Sequence, residues 1–308
     1  MDKFASLFAQ GGLSLDRLRT ICRVADAGGL SRAADGDAAQ MSLFSRQIRE
    51  LETFFGTALT RRKGKGIALT KAGEELARLA RVQLAALDDF RRACRAEPQH
   101  VTIGSSESVL HWLVVPQLGA LRARVPDTEF ELAAVRTRDL AMQLSSLALD
   151  VALIREDAVA PPIESRTAMP LGFALFVPVA LAGGLTPRNL RTRIAALPIA
   201  ISRGGQFRAQ LESSAARAGW PLRFVLHCSS STESAAAVRH GSHAAILPTI
   251  AAATFDPSLV RRFALPFLDD YGRTLAVAWN PRLVETRPLV GRVVAALVEL
   301  LAPLAVRG

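Results

Sequence analysis

The chain has 308 residues, of which 50% are apolar and 21% are charged, a composition typical of soluble globular proteins and a length that predicts about two domains. Its formal net charge of +10 favours a polyanionic partner, either a nucleic acid or an anionic membrane surface. Three widely separated cysteines, Cys22, Cys94 and Cys228, argue against a disulfide framework and indicate a reducing compartment such as the cytoplasm.

The sequence does not have the pattern of a signal peptide or of a membrane-spanning helix. Only a few apolar residues lie between Met1-Asp2-Lys3 and Gln10, and a signal peptide needs a longer apolar region. The longest uncharged stretch, 167–187, contains Pro170 and Pro178, whereas a spanning helix needs about 20 largely apolar residues. We therefore expect a cytoplasmic protein without a membrane partner.

The first regular pattern predicts a helix that begins after Ser14 and runs to about Ala27. Ser14 is placed to cap the helix through its side-chain oxygen. The residues expected to face the core recur at three- and four-residue spacing, and they are Leu15, Leu18, Ile21, Cys22 and Ala25. Cys22 lies on this apolar face, so we interpret it as a small core residue.

Two further helices complete a helix-turn-helix pattern. Ser31 is expected to cap a short helix with Ala33 and Ala34 on its inner face, and Gly36-Asp37 is expected to end it. The next helix has apolar residues at helical spacing, which are Leu43, Phe44, Ile48, Leu51 and Phe55.

The polar face of this last helix predicts a surface that reads DNA. A helix fits the major groove, where Arg can hold guanine through two hydrogen bonds and Ser or Gln can reach bases or phosphates. We expect groove contacts from Arg46 and its polar neighbours, and a phosphate or groove-edge contact from Arg49. The predicted DNA contacts of the helix pair are Ser31, Arg32, Gln40, Ser42, Ser45, Arg46 and Arg49.

The basic run that follows predicts a wing between two short strands. Arg62, Lys63 and Lys65 lie on a glycine-containing tip within residues 59–70, and such a tip can neutralise phosphates beside the groove. Taken alone, the run is more typical of a solvated basic loop. Its position directly after the helix pair favours the wing.

The order of these motifs resembles the LysR-type transcriptional regulators. The resemblance is carried by Arg32-Ala33-Ala34, Ser45-Arg46-Gln47-Ile48-Arg49-Glu50-Leu51-Glu52, Phe55-Gly56, Leu59, Arg62 and Leu69-Thr70-Lys71-Ala72-Gly73. The chain departs from the family at Asp37, usually aliphatic, at Gln40-Met41-Ser42, usually Ser-Gln-Pro, and at Thr60, often Phe. The resemblance implies a sequence-specific DNA-binding regulator controlled by a small molecule, with no enzymatic activity, cofactor or metal.

A long helix is predicted from Lys71 to about Arg95. Its apolar stripe consists of Leu76, Leu79, Ala80, Val82, Gln83, Leu84, Leu87, Phe90 and Ala93. A single stripe of this length packs on its own domain or on a partner helix, and the resemblance implies a dimer interface. Such a dimer would present two reading helices to grooves about 34 Å apart on a dyad-symmetric operator. Pro98 marks the end of the helix.

After Pro98 the pattern alternates between strands and helices, which predicts an α/β domain with a parallel sheet covered by helices. The resemblance implies the fold of periplasmic solute-binding proteins, with two subdomains and a ligand cleft between them. The predicted organisation is a winged helix-turn-helix domain at 1–73, a linker and dimerisation helix at 74–97, and an effector-binding domain at 98–308, whose subdomains are 98–167 with 273–308, and 168–272.

Small polar residues follow three predicted strands of this domain. Ligands of α/β proteins collect at the carboxyl ends of strands, where helix N-termini offer free N–H groups. The predicted effector contacts are Ser105, Ser106, Ser202, Arg203, Ser229, Ser230 and Thr232. An effector carboxylate or phosphate would suit these N–H groups and Arg203. Each serine could equally cap a helix, and Arg203 could equally be a surface residue.

Other functional readings have weaker support in the sequence. A disulfide switch at Cys228 needs a resolving cysteine, and none follows Cys94 except Cys228 itself. His240 and His243 lack further ligands for a metal. The sequence has no Gly-x-Ser-x-Gly elbow, phosphate loop or dinucleotide fingerprint, which argues against an α/β enzyme. An architectural DNA-binding protein without ligand control is the main alternative.

The expected partners follow from the regulator interpretation. They are double-stranded operator DNA, a small-molecule effector, a second copy of the chain in a homodimer or homotetramer, and RNA polymerase.

Overall fold

The N-terminal part of the molecule is a small helical unit with a two-stranded wing. The computed structural model describes residues 2–64, 66–203 and 206–305. The first elements are α1 (Ala5–Phe8), α2 (Leu15–Ala27), α3 (Leu30–Ala33), α4 (Ala38–Phe55), β1 (Thr60–Lys63) and β2 (Gly66–Leu69). The two strands pair antiparallel, with Arg62 opposite Ile67. The predicted helix-turn-helix and wing are therefore confirmed as structural elements.

One of the two predicted serine caps is correct. Ser14 caps α2, because its Oγ accepts a hydrogen bond from the Arg17 amide at 3.3 Å. The prediction for Ser31 was wrong, since α3 begins at Leu30 and Ser31 lies exposed within it. Gly29 is the N-cap of α3, with a φ of 155° and a ψ of 158° that glycine adopts more readily than other residues, so the helix begins at Leu30, before Ser31.

The core of this unit contains most of the predicted apolar positions. Ile21, Phe44, Ile48 and Leu51 are buried, as are Ala33 and Ala34 on the inner face of α3. Three predicted core residues are instead exposed, and these are Leu15 at 59%, Leu43 at 40% and Phe55 at 40%. They lie at helix ends or beside the buried stripe, where a residue can satisfy helical spacing without meeting a neighbouring helix.

The long helix α5 (Lys71–Cys94) connects the two halves of the molecule. Thr70 caps it, accepting a hydrogen bond from the Gly73 amide at 3.1 Å. Its first half packs into the N-terminal core through Leu76, Ala77 and Ala80. Three apolar side chains of its predicted stripe face solvent, namely Leu79 at 55%, Leu87 at 51% and Phe90 at 70% exposure.

The C-terminal half is an α/β structure with two mixed sheets. Its strands are β3 (Gln99–Ser105), β4 (Thr128–Ala134), β5 (Val151–Arg155), β6 (Glu164–Leu171), β7 (Phe173–Pro178), β8 (Ile199–Ser202), β9 (Phe224–Cys228), β10 (Ala244–Pro248), β11 (Val260–Ala264) and β12 (Arg273–Trp279). Its helices are α6 (Glu107–Val109), α7 (Leu118–Arg124), α8 (Thr137–Ser145), α9 (Leu190–Arg193), α10 (Gln206–Arg217), α11 (Ser231–Arg239), α12 (Pro281–Thr286) and α13 (Pro288–Ala305).

Each sheet has five strands and forms one lobe. The first lobe, residues 99–171 and 273–305, has the strand order β4-β3-β5-β12-β6, and the second, residues 173–264, has the order β11-β7-β10-β8-β9. The predicted parallel sheet is correct only in part. The strand β3 runs parallel to β4 and β5, and β8 runs parallel to β9 and β10, but β12 runs antiparallel to β5 and β6, and β7 runs antiparallel to β10 and β11. These antiparallel strands flank the two points where the chain passes between lobes.

Several element boundaries differ from the sequence prediction. The stretch 171–177 is divided at Gly172 between β6 and β7, so the chain leaves the first sheet there rather than at residue 168. The strands β6 and β11 and the helix α12 were not predicted. Between α6 and α7 the chain forms a π-helical turn at Leu110–Val114 and a 3₁₀ turn at Val115–Gln117 instead of one regular helix, because Pro116 has no N–H to donate within a regular helix.

A buried ionic cluster fixes α5 to the first lobe. The guanidinium of Arg287 donates to Asp89 on α5 at 2.7 Å, to Asp150 at 2.6 Å and to the His100 carbonyl at 2.6 Å. Asp150 also accepts from the Thr102 amide at 2.9 Å. Burial raises the pKa of the Asp150 carboxyl above its ordinary value, and the nearby Arg287 charge offsets this in part. The cluster ties the linker helix to the sheet.

No helix within the described residues has both the length and the apolar character needed to cross a lipid bilayer.

Candidate nucleic-acid interface and ligand cleft

The helix α4 begins at a side-chain cap supplied by Asp37. Its Oδ1 accepts hydrogen bonds from the Ala39 amide at 2.8 Å and the Gln40 amide at 3.3 Å. A carboxylate at this position satisfies free N–H groups and interacts favourably with the positive end of the helix dipole. The residue that departs from the family pattern therefore stabilises the start of the helix that carries the predicted DNA contacts.

The predicted contacts on α4 occupy more than one side of the helix. Ser42, Arg46 and Arg49 recur at four- and three-residue spacing, so they share one face, and all three are exposed. Ser45 is half-buried on the same side, and its Oγ accepts a hydrogen bond from Arg49 at 3.1 Å. Gln40 is exposed but lies about 160° around the helix from Ser42, given 3.6 residues per turn.

Two contacts hold α4 against α2 and so orient this face. Arg17 forms an ion pair with Glu50, and the Thr20 hydroxyl donates to Gln47 at 2.6 Å. Gln47 and Glu50 belong to the motif that carries the family resemblance. In the structure both point toward α2, so they position the helix and leave its outer face free.

The wing is fixed to the same helix by one carboxylate. Oε1 of Glu52 accepts hydrogen bonds from the Leu59 amide at 2.9 Å, the Thr60 amide at 3.0 Å and the Thr60 hydroxyl at 2.9 Å. The hydroxyl of Thr60, the residue that departs from the family pattern, thus completes this contact. Glu52 belongs to the motif that carries the family resemblance, but the sequence did not predict its role in holding the wing.

The remaining predicted DNA contacts lie close to this helix pair and wing. Arg62 and Lys63 are exposed on β1, whereas Lys65 lies outside the described residues. Ser31 is exposed on α3. The Arg32 guanidinium donates to the Gly28 carbonyl at the end of α2. Arg32 therefore also stabilises the turn between the first two helices of the unit.

A cavity of about 830 Å³ lies between the two lobes. It opens at the carboxyl ends of β3, β5 and β8, which is where ligands collect in α/β folds. Four of the predicted effector contacts line it, namely Ser105, Ser106, Ser202 and Arg203. Three others, Ser229, Ser230 and Thr232, are not among its lining residues, although their neighbour Ser231 is.

Three of the predicted effector contacts have hydrogen-bond partners within the protein. Ser105 is only 1% exposed, and its hydroxyl donates to the Leu153 carbonyl at 2.6 Å. Ser230 caps α11 by accepting from the Glu233 amide at 3.1 Å. The Thr232 hydroxyl donates to the carboxylate of Glu107. This last contact joins α11 of the second lobe to α6 of the first, across the cleft.

Four arginines that sequence reasoning missed join Arg203 around the cavity. They are Arg136, Arg138, Arg155 and Arg273. Asp157 pairs with Arg155 at 2.8 Å and with Arg273 at 3.3 Å. Within the described part of the chain, no residue that lines the cavity is an Asp or a Glu. The position of Arg136-Thr137-Arg138 at the end of a predicted strand was a signal for this basic lining.

One wall of the cavity is aromatic. The rings of Phe173 and Phe207 are stacked, with centroids 4.1 Å apart and planes at 18°. Tyr271 lies 5.6 Å from the first ring and 5.5 Å from the second. The guanidinium of Arg273 lies over the Tyr271 ring at 4.3 Å from its centroid. Apolar contact area and positive charge therefore meet on the same side of the cleft.

A second cavity of about 750 Å³ lies beside the edge strand β11. It is lined mostly by apolar side chains, including Phe176, Trp220 and Phe255. None of the predicted site residues lies in it.

Cysteine and histidine side chains form no site within the described residues. That part of the chain has no group of three or more His, Cys, Asp or Glu side chains arranged to hold a metal. Cys22 and Cys228 are buried and Cys94 is exposed. Burial raises the pKa of the Cys22 thiol to about 11, which makes it a poor nucleophile at neutral pH.

Comparison with protein families finds two matches along the chain. Residues 15–74 match a family described as "Bacterial regulatory helix-turn-helix protein, lysR family". Residues 95–302 match the "LysR substrate binding domain". The first match covers the helix-turn-helix and wing, and the second covers both lobes with the cavity between them.

Similarity to individual proteins is low and covers about half of the chain. The chain is 32% identical over 155 residues to the "Hca operon transcriptional activator HcaR" of Escherichia coli, covering 49% of this chain and 52% of that protein. It is 27% identical over 176 residues to a "Probable RuBisCO transcriptional regulator" of Synechocystis sp., covering 54% and 50%. The chain thus spans about half the length of each of these relatives.

Solved structures share the whole fold at low sequence identity. A full-length OxyR from Pseudomonas aeruginosa is 18% identical, with a TM-score of 0.63 over 95% of both chains. Full-length CbnR in complex with its target DNA is 19% identical, with a TM-score of 0.55 over 94% of this chain and 100% of that one. At these identities the likeness establishes the fold.

Proposed function

This chain belongs to the LysR family, and from that premise we propose that it is a sequence-specific transcription regulator that acts on DNA in the bacterial cytoplasm. Residues 1–73 would bind DNA, residues 74–97 would dimerise, and residues 98–308 would bind a small-molecule effector between two lobes. The observation that carries the proposal is the combination, in one chain, of an exposed basic helix face and a basic cleft between lobes.

The DNA contacts would come from the outer face of α4. Ser42, Arg46 and Arg49 are exposed on this face, and Arg46 forms no ion pair or hydrogen bond with another described residue. A free guanidinium on a helix in the major groove can donate two hydrogen bonds to guanine. Arg62 and Lys63 on the wing would neutralise phosphates beside the groove.

Self-association would use the exposed side of α5. Leu79, Leu87 and Phe90 are more than half exposed, and they recur at spacings of eight and three residues, which places them along one side of the helix. Pairing this side with a second copy would remove apolar surface from water. A homodimer would then match an operator with dyad symmetry, and two such dimers could form a homotetramer.

An effector would control the regulator by binding one arrangement of the lobes more tightly than another, because only differential affinity shifts a conformational equilibrium. The contact between Thr232 and Glu107 crosses the cleft, so it is one interaction that effector binding could exchange. The change in lobe arrangement would be transmitted through α5 to the DNA-binding domains. The resulting change in the DNA complex would alter its interaction with RNA polymerase.

The direct experiment is a footprint of the purified full-length protein on the DNA upstream of its own gene at physiological salt. We expect protection of a dyad-symmetric site, and we expect Arg46→Ala to weaken specific binding by about 1–3 kcal/mol. Arg223→Ala, an exposed residue of the second lobe, is the matched control and should bind normally. Unchanged affinity of the Arg46→Ala protein would remove this residue from the reading surface.

The departure at Gln40-Met41-Ser42 supports a second candidate, an architectural DNA-binding protein with relaxed sequence reading. Titration of operator DNA against random DNA separates the two functions. A regulator should prefer its operator by about 1,000-fold or more, whereas an architectural protein should show a small ratio and binding that weakens steeply with salt.

A further inference from the structure

We propose that the effector of this protein is an aromatic compound with two anionic groups, such as a benzene dicarboxylate, bound with one anionic group on each lobe. The inference rests on the proposed function, since it assigns a ligand class to the cleft of that regulator. It is carried by the number and placement of the arginines around the cavity and by its aromatic wall.

The pairing of the arginines around the cleft indicates two anionic groups. Among the residues that the structure describes, five arginines line the cavity and no lining residue is acidic. Arg155 and Arg273 both pair with Asp157, and Arg138 lies 3.5 Å from Asp139. Among the described residues, no carboxylate pairs with Arg136 or Arg203. Guanidinium groups bind carboxylates through paired hydrogen bonds, so these two arginines are available for a ligand.

The two available arginines belong to different lobes. Arg136 directly precedes α8 in the first lobe, and Arg203 directly follows β8 in the second. Both line the same cavity. A ligand with an anionic group at each end could therefore contact both lobes at once, whereas a monoanion would neutralise only one of the two positive charges. Bridging would favour one lobe arrangement, which gives the ligand the differential affinity that regulation requires.

The body of the ligand would pack on the aromatic wall. Phe173 and Phe207 are each half-buried, so part of each ring faces the cavity. The opposite lining includes buried aliphatic side chains of the first lobe, among them Leu140, Leu153 and Leu275. Flat aromatic rings pack favourably against such surfaces. A cavity of about 830 Å³ lies within the range of about 300–1,000 Å³ that is usual for small-molecule sites.

The test is calorimetric titration of the full-length protein with four probes: terephthalate, benzoate, adipate and sulfate. Terephthalate has a ring and two carboxylates, benzoate lacks one carboxylate, adipate lacks the ring, and sulfate lacks both the ring and the length. We expect terephthalate to bind at least about tenfold more tightly than each of the others, because each loses a charge-assisted contact or ring packing.

Three variants assign the contacts. Arg136→Gln and Arg203→Gln should each weaken terephthalate binding about tenfold or more. Benzoate has one carboxylate, so in at least one of these two variants its affinity should fall less than the affinity for terephthalate. Phe207→Leu keeps apolar volume but removes the ring, and it should lower the preference for terephthalate over adipate by about two- to tenfold. Arg122→Gln, an exposed arginine of α7 outside the cavity, is the matched control and should leave all four affinities unchanged.

The outcomes separate this inference from the proposed function. If the protein protects its operator but adipate or benzoate binds as well as terephthalate, or if none of the probes binds, the ligand class is wrong and the regulator proposal stands. Equal effects of Arg122→Gln and the cavity variants would also overturn the inference. If the protein shows no preference for operator DNA, the proposed function fails whatever the probes do.

Discussion

Removal of Arg287 tests whether the ionic cluster stabilises the junction between the linker helix and the first lobe. The Arg287 side chain is 6% exposed, and those of Asp89 and Asp150 are each 13% exposed. The substitution Arg287→Met keeps much of the apolar part of the side chain but leaves the carboxylates of Asp89 and Asp150 without their cation. Breaking such a cluster from one side costs about 3–5 kcal/mol, because the desolvation of the remaining charges is no longer compensated.

The loss of stability should depend on pH. Burial already raises the pKa of Asp150 in the folded protein, and removal of the Arg287 charge removes the interaction that opposes this rise. A carboxyl whose pKa is raised on folding binds protons more tightly in the folded state, so stability is greatest at low pH and falls as pH rises through the folded-state pKa. The destabilisation by Arg287→Met should therefore be smaller at pH 5 than at pH 7.5.

Tryptophan fluorescence during urea unfolding measures this effect in the right part of the molecule, since Trp112, Trp220 and Trp279 all lie in the two lobes. Arg292→Met, an exposed arginine on α13, is the matched control and should change the free energy of unfolding by less than about 0.5 kcal/mol. A loss below about 1 kcal/mol for Arg287→Met at pH 7.5, or a loss independent of pH, would refute the reasoning.

Three other predictions concern single positions. Asp37→Ala should destabilise the DNA-binding unit by about 1 kcal/mol and Asp37→Asn by less, measured by thermal unfolding followed by circular dichroism; equal losses would contradict the capping role. Iodoacetamide at pH 8 should modify exposed Cys94 long before buried Cys22, whose pKa is raised to about 11, as read by mass spectrometry with a urea-unfolded control. Gly73→Ala should destabilise by about 1–3 kcal/mol because the added Cβ would overlap a backbone carbonyl, whereas Gly119→Ala, which meets nothing within 4 Å, should stabilise its helix by up to about 1 kcal/mol.

The helix-turn-helix was predictable because its signals are local. Helical spacing of Phe44, Ile48 and Leu51 and a cap at Ser14 act within one or two turns of chain, and the structure has these elements where the sequence places them. The Ser31 prediction failed at the same scale, because Gly29 is the N-cap and the helix begins at Leu30. The role of Asp37 as a cap follows from the same local rules and could have been recognised.

The sheets show the limit of local patterns. Alternation of strands and helices predicts an α/β domain, but the same strand sequence fits a parallel or an antiparallel neighbour. Strands β7 and β12 run antiparallel to their partners only because the chain passes between the lobes beside them. That reversal is a property of the path of the chain, which hydrophobic spacing does not encode.

The sequence by itself determined the family, the order of domains and the helix that carries the predicted DNA contacts, because motif residues and periodicity lie within short segments. Only the tertiary structure decided the character of the cleft. Arg136, Arg155, Arg203 and Arg273 come from separate strands and loops, and they line one cavity because two sheets face each other. Each of these arginines alone is typical of a solvated surface, and their combined field exists only once long-range packing has placed them together.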